Sequence, residues 1–161
     1  MDKCWNKLLN LLLNINIFFV NLSHRLFKDK LKNIIPIAII LTISLDTQDV
    51  EIILTGTQNY PLADDLLIIT VPGHTEGHTV LLYDNNFLFT GDHLAWSDNY
   101  HQLIAFRGAC WYSWTELTKS MAKLTNYSFE WVLPGHGRRY HADTQKMQQE
   151  LAKCLQWMQK K

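Results

Sequence analysis

Three short turns constrain this chain more than anything else in it. In VPGHTEGHTVLLYDNNFLFTGDHL, residues 71–94, the apolar run LLIITV ends at Pro72-Gly73 and is followed at once by His74. Further along the same stretch, FLFT gives way to Gly91 and Asp92. In WVLPGHG, residues 131–137, the run Trp131 to Leu133 passes into Pro134-Gly135 and then His136. Short β-branched or aromatic runs bounded by glycine and proline read as strands. A glycine at the strand end lets the backbone turn sharply, which delivers the next side chain to the sheet edge. The pattern therefore asks for a sheet whose strand ends meet at one rim. Two imidazoles and a carboxylate gathered there are a standard ligand set for zinc or a similar divalent ion.

The remaining pattern supplies the rest of such a fold. VEIILTG (50–56), LLIITVPG (66–73), TVLLYD (79–84) and FLFTGD (87–92) predict consecutive strands, with Asp84-Asn85-Asn86 as a hairpin turn. Ser113-x-x-Glu116 is a capping box, and Trp114, Leu117, Met121 and Leu124 follow at helical spacing on one face. FEWVLPG (129–135) returns to a strand. Met147, Leu151, Cys154 and Met158 then recur through a polar segment, which predicts an amphipathic helix laid on a sheet. The class is α/β or α+β.

Composition limits the partners. With 161 residues, 47% of them hydrophobic, the chain has material for one domain with a core but hardly for two. Lys plus Arg equals Asp plus Glu at 15 each, so no nucleic acid or anionic membrane is expected and a small-molecule substrate is. Cys4, Cys110 and Cys154 form neither a C-x-x-C pair nor a disulfide framework, which points to a reducing, cytoplasmic setting. Residues 1–45 differ from the rest: Leu, Ile, Asn, Lys and Phe fill 32 of these positions. They read as a divergent apolar segment and not a separate domain, ahead of a main domain over 46–161. Within them, Leu8 to Leu22 is only 15 residues long and contains four asparagines, short of the roughly 20 apolar residues of a membrane span. The spacing of Asn10, Asn14 and Asn21 predicts a buried or interfacial helix there. IIPIAIILTISL (34–45) predicts a strand beginning after Pro36.

The ordered motifs P-G-H-T-x-G-H, T-G-D and P-G-H-G, from His74 through Asp92 to His136, resemble those of the metallo-β-lactamase superfamily, most of all its glyoxalase II type. The resemblance runs from about residue 50 to the C-terminus. It implies an αββα sandwich with a metal site at one sheet edge, and hydrolysis of a thioester, lactam, phosphoester or related bond. It assigns His74 to a first metal, Asp92 as the bridging carboxylate and His136 to a second metal, with His78 supporting the turn. Two divalent ions so placed activate a water for attack and polarise the oxygen that becomes charged.

One family motif, H-x-H-x-D-H, is missing. The only histidine before His74 is His24, and the positions two, four and five residues later hold Leu26, Lys28 and Asp29. The expectation is therefore a sandwich incomplete in its N-terminal half, with residues 1–45 a degraded, truncated or out-of-frame replacement. At most one weakly held zinc or similar ion is expected, with impaired hydrolysis and a tendency to form homo-oligomers. Two other readings stand beside it: an inactive remnant that still folds around the C-terminal motifs, and a small interaction module with an apolar N-terminus.

Other residues invite a plainer reading. His78, His93 and His101 are expected to pack or to make one backbone hydrogen bond, with His78 and His93 supporting the site. CWYSWTEL (110–117), at the start of a helix, reads as core. Arg138 and Arg139 read as solvated charge. Gly73, Gly91 and Gly135 each precede a candidate ligand, and a Cβ at any of them is expected to disturb the turn.

Overall fold

The structure is a computed structural model that describes residues 15–17, 35–39, 52–54 and 57–160. The chain divides into two compact units, Met1–Gly56 and Thr57–Lys161. Among the described residues of the first are β1 (Ile15–Ile17), β2 (Ile35–Ile39) and β3 (Ile52–Leu54), a parallel sheet in the order β1-β2-β3.

β1 corrects the helix predicted over 8–22, the rest of which lies outside the described residues. Ile15-Asn16-Ile17 alternates β-branched and polar residues, and that period of two prevails over the asparagine spacing. β2 likewise begins at Ile35, before Pro36. Its pairing with β1 includes Pro36, and a proline is tolerated near the start of a strand.

The second unit is built on a six-stranded sheet. Its strands are β4 (Tyr60–Ala63), β5 (Leu66–Thr70), β6 (Thr79–Tyr83), β7 (Phe87–Gly91), β10 (Trp131–Pro134) and β11 (Tyr140–His141). Their order is β11-β10-β7-β6-β5-β4. β8 (Ala95–Ser97) and β9 (Gln102–Ile104) form a separate antiparallel pair. β6 and β7 are joined as their sequence predicts: Asn86 N donates to the Tyr83 carbonyl at 3.0 Å, with Asp84 and Asn85 at φ 53° and 45°. Positive φ at both central positions is the type I′ turn, whose twist matches that of a hairpin.

Helix α1 (Trp114–Leu124) starts at Ser113, whose hydroxyl accepts from Glu116 N at 3.2 Å. The Glu116 carboxylate accepts from Lys119 Nζ at 2.8 Å. Helix α2 (Thr144–Gln159) is capped by Asp143, which accepts from Lys146 N at 2.8 Å. Both helices lie on one face of the sheet. Leu117, Met121 and Leu124 of α1 and Met147, Leu151, Cys154 and Met158 of α2 share one buried cluster with Ile69, Val80, Leu82, Leu88 and Val132. Burial pushes the Cys154 thiol up to about 12, leaving it a protonated packing group. The opposite face holds a ladder of rings across four strands. Tyr83 stacks on Phe87 at 6.2 Å, Phe87 on Trp131 at 6.3 Å, and Trp131 on His141 at 4.2 Å between ring centres. Among the described residues no helix is long and apolar enough to cross a membrane.

Candidate metal centre

Sheet topology brings the three turns together. β6 is antiparallel to both β5 and β7, and β10 is parallel to β7. β5, β7 and β10 therefore point the same way, and the residues just beyond their C-terminal ends emerge at one edge. His74 follows β5, Asp92 follows β7 and His136 follows β10. Gly135 N donates to the Gly91 carbonyl at 2.8 Å, which fastens two of the turns directly to each other.

Asp92 is the hub. His136 Nδ1 donates to its Oδ1 at 2.6 Å, and His74 Nε2 lies 3.5 Å from its Oδ2. The two imidazoles differ in setting: His74 is 3% exposed and His136 is 69% exposed. Both ring nitrogens of His74 are buried, with Asp92 Oδ2 near Nε2 and the Ala109 backbone also drawing on the ring. Burial lowers its pKa, against the pull of the Asp92 carboxylate, so His74 is held as the neutral imidazole that has a lone pair to give.

Behind this edge stands a row of histidines. The His78 ring meets His74 edge-on at 5.3 Å and stacks on His93 at 5.9 Å. His78 Nε2 donates to the Thr90 carbonyl at 3.2 Å, tying the first turn to the second, and burial lowers its pKa to about 4. His93 is wholly buried, with neither ring nitrogen hydrogen-bonded, and burial holds its pKa well below the ordinary value. His101 neither packs nor supports this edge; it is an exposed residue at φ 49° between β8 and β9. Thr90, the threonine of the T-G-D motif, is fully buried and braces the Asp92 turn, its hydroxyl donating to the Leu94 carbonyl at 2.6 Å.

Two expectations need correction. The segment CWYSWTEL is not uniformly core: Trp111 is 68% and Tyr112 50% exposed, while Leu117 is buried. These rings precede the Ser113 cap and so fall outside the helical stripe that buries Leu117. The glycine constraint also falls differently. A Cβ on Gly73 would lie 2.3 Å from Leu117 Cα, but one on Gly135 would meet nothing closer than 3.5 Å. In the third turn the tight position is Gly137, at φ 92°, where a Cβ would come 2.9 Å from that of Ala95. Arg138 is solvated as expected and pairs with Asp98 at 2.6 Å.

The donors are right in kind for a divalent ion: a neutral buried imidazole, a carboxylate and a second imidazole. They do not enclose one. Among the described residues no group of three His, Cys, Asp or Glu side chains is arranged to hold a metal ion.

No protein-family profile and no curated protein matches this sequence. Solved structures do. A metallo-β-lactamase from Pontibacter korlensis superposes with a TM-score of 0.55 at 16% identity, over 80% of this chain and 59% of that one. TMB-1 gives 0.52 at 21% identity, over 74% of this chain and 57% of that one. VMB-1 gives 0.52 at 26%, over 74% and 56%. These are metallo-β-lactamase superfamily structures, and the chain has their α+β fold. It spans less than three fifths of the length of each.

Proposed function

We propose that the chain is a hydrolase of metallo-β-lactamase type, reduced in capacity, in which His74, Asp92 and His136 hold a single divalent ion, zinc or one like it, loosely. The substrate is a small molecule with a thioester or similar bond. The observation that carries this reading is the convergence of the His74 and His136 imidazoles on the Asp92 carboxylate, at 3.5 and 2.6 Å. An ion held there would lower the pKa of a water toward neutrality and polarise the bond under attack. The protein's own groups do the rest. His74, kept neutral by burial, gives a lone pair from the closed side of the site. Asp92 supplies the negative charge and links the two imidazoles. His136, exposed at the open mouth, turns Nδ1 toward Asp92 Oδ1 at 2.6 Å. With three donors the remaining coordination places fall to water, so affinity is low.

Elemental analysis and zinc titration of the purified chain test this. At most one ion per chain is expected, removed by mild chelation, and Asp92→Ala abolishes binding because it takes away the shared ligand and its charge. Two tightly held ions, or unchanged affinity in Asp92→Ala, would sink the reading. The failure of the donors to enclose an ion favours a second reading, an inactive remnant. No bound zinc, or one bound zinc with no thioester turnover, would select it.

A further inference from the structure

The largest exposed apolar side chain among the described residues stands beside the candidate metal centre. Trp111 is 68% exposed, yet its ring centre lies 5.0 Å from that of His74, inclined at 36°. Its loop is fastened to the turn that carries His74. Trp111 N and Tyr112 N donate to the His74 carbonyl at 3.0 and 3.2 Å, Ser113 N donates to the Gly73 carbonyl at 3.0 Å, and the Cys110 thiol donates to that same carbonyl at 3.2 Å. The indole is left in solvent while its backbone is fastened to the residue nearest the proposed chemistry. Tyr100, also exposed, leans instead on Trp157 at 5.9 Å.

We propose that Trp111 is a specificity-determining residue, its indole forming a wall of the site that receives a planar apolar group, such as an aromatic ring, next to the bond to be cleaved. An aromatic pair gains from offset or edge-on contact beyond the burial of area, and an indole already held in place loses little freedom on binding. The substrate class is thus an aryl or arylalkyl acyl compound and not a short aliphatic one. This rests on the hydrolytic reading of the His74 turn.

The test uses the full chain with zinc, labelled with 5-fluorotryptophan, the Trp111 fluorine signal being the one lost in Trp111→Phe. Phenylacetate and acetate are titrated separately, and turnover of their N-acetylcysteamine thioesters is measured alongside. The expected result is a saturable shift of the Trp111 signal with phenylacetate, bound roughly tenfold more tightly than acetate. Trp111→Ala erases that preference and Trp111→Phe keeps most of it, in binding and in turnover. Equal preference in the native chain and Trp111→Ala, or no response of the Trp111 signal to phenylacetate, would overturn the proposal. Selective binding at Trp111 with no turnover of either thioester would support the wall and count against hydrolysis alone. Turnover with the same selectivity in Trp111→Ala would do the reverse.

Discussion

At Gly73 the chain has φ 148°, and a methyl group would meet the backbone of helix α1 at Leu117. Backbone cannot swing aside as a long side chain does. Gly73→Ala is therefore expected to cost about 2 kcal/mol or more. Gly135→Ala, whose new atom sits at ordinary contact distance, should cost less than about 1 kcal/mol. Urea unfolding of both variants checks the contrast, and equal losses would contradict it. The comparison also marks how far single residues were legible. His74, Asp92 and His136 could be picked out because glycine after an apolar run is a local signal. Which glycine is crowded depends on Leu117, Ala95 and Phe106, residues remote in sequence, and no local signal carries that. Trp111 departs from its expected burial for a related reason: apolarity argues for burial, but its loop is held by backbone bonds to the distant His74 and Gly73 carbonyls.

Among elements, those with a sustained period were readable. β5, β6, β7 and β10 alternate or run apolar between turn residues, and α1 and α2 repeat their buried positions at helical spacing. β4 contains Pro61, β8 and β9 are three residues each, and β11 is two; such pieces are strands because of what they pair with. Helix α2 also buries a charge that its pattern did not announce. Glu150 is 3% exposed, and its Oε1 takes Lys146 at 2.9 Å and Lys153 at 2.8 Å. Burial alone would raise its pKa, but the two ammonium groups outweigh it and hold the carboxyl below its ordinary value of 4.5. A depressed folded pKa means that the unfolded chain binds the proton first as acid is added. The stabilisation is therefore complete above about pH 4.5 and is lost as pH falls through the lower folded value. Glu150→Gln is expected to lower stability at pH 7 by about 1.5 kcal/mol and to flatten this acid decline. Thermal unfolding of both proteins from pH 3 to 7 decides it; parallel curves would show that the two lysines contribute nothing through this charge.

For the whole molecule, the feature with the widest reach is the parallel pairing of β7 with β10. Parallel neighbours need a long crossover, here containing β8, β9 and helix α1, before their ends can align. Asp92 and His136 are 44 residues apart in the chain although their side chains touch. Closing a loop of that length costs roughly 3 kcal/mol of chain entropy before any contact rewards it. Non-local pairing of this kind slows folding, and the contact between the two turns is expected to form late, on the native side of the barrier. On the proposed metal reading, zinc bound through Asp92 would meet its ligands only after the rate-limiting step. In stopped-flow experiments, zinc should leave the refolding rate unchanged and slow unfolding by the full factor of the stability it adds. Acceleration of refolding by zinc would mean that the ligand turns meet before the crossover has packed. Under that proposal the metal would act as a latch on a finished fold, and a chain stripped of zinc would fold as fast as a loaded one but stay folded for less time.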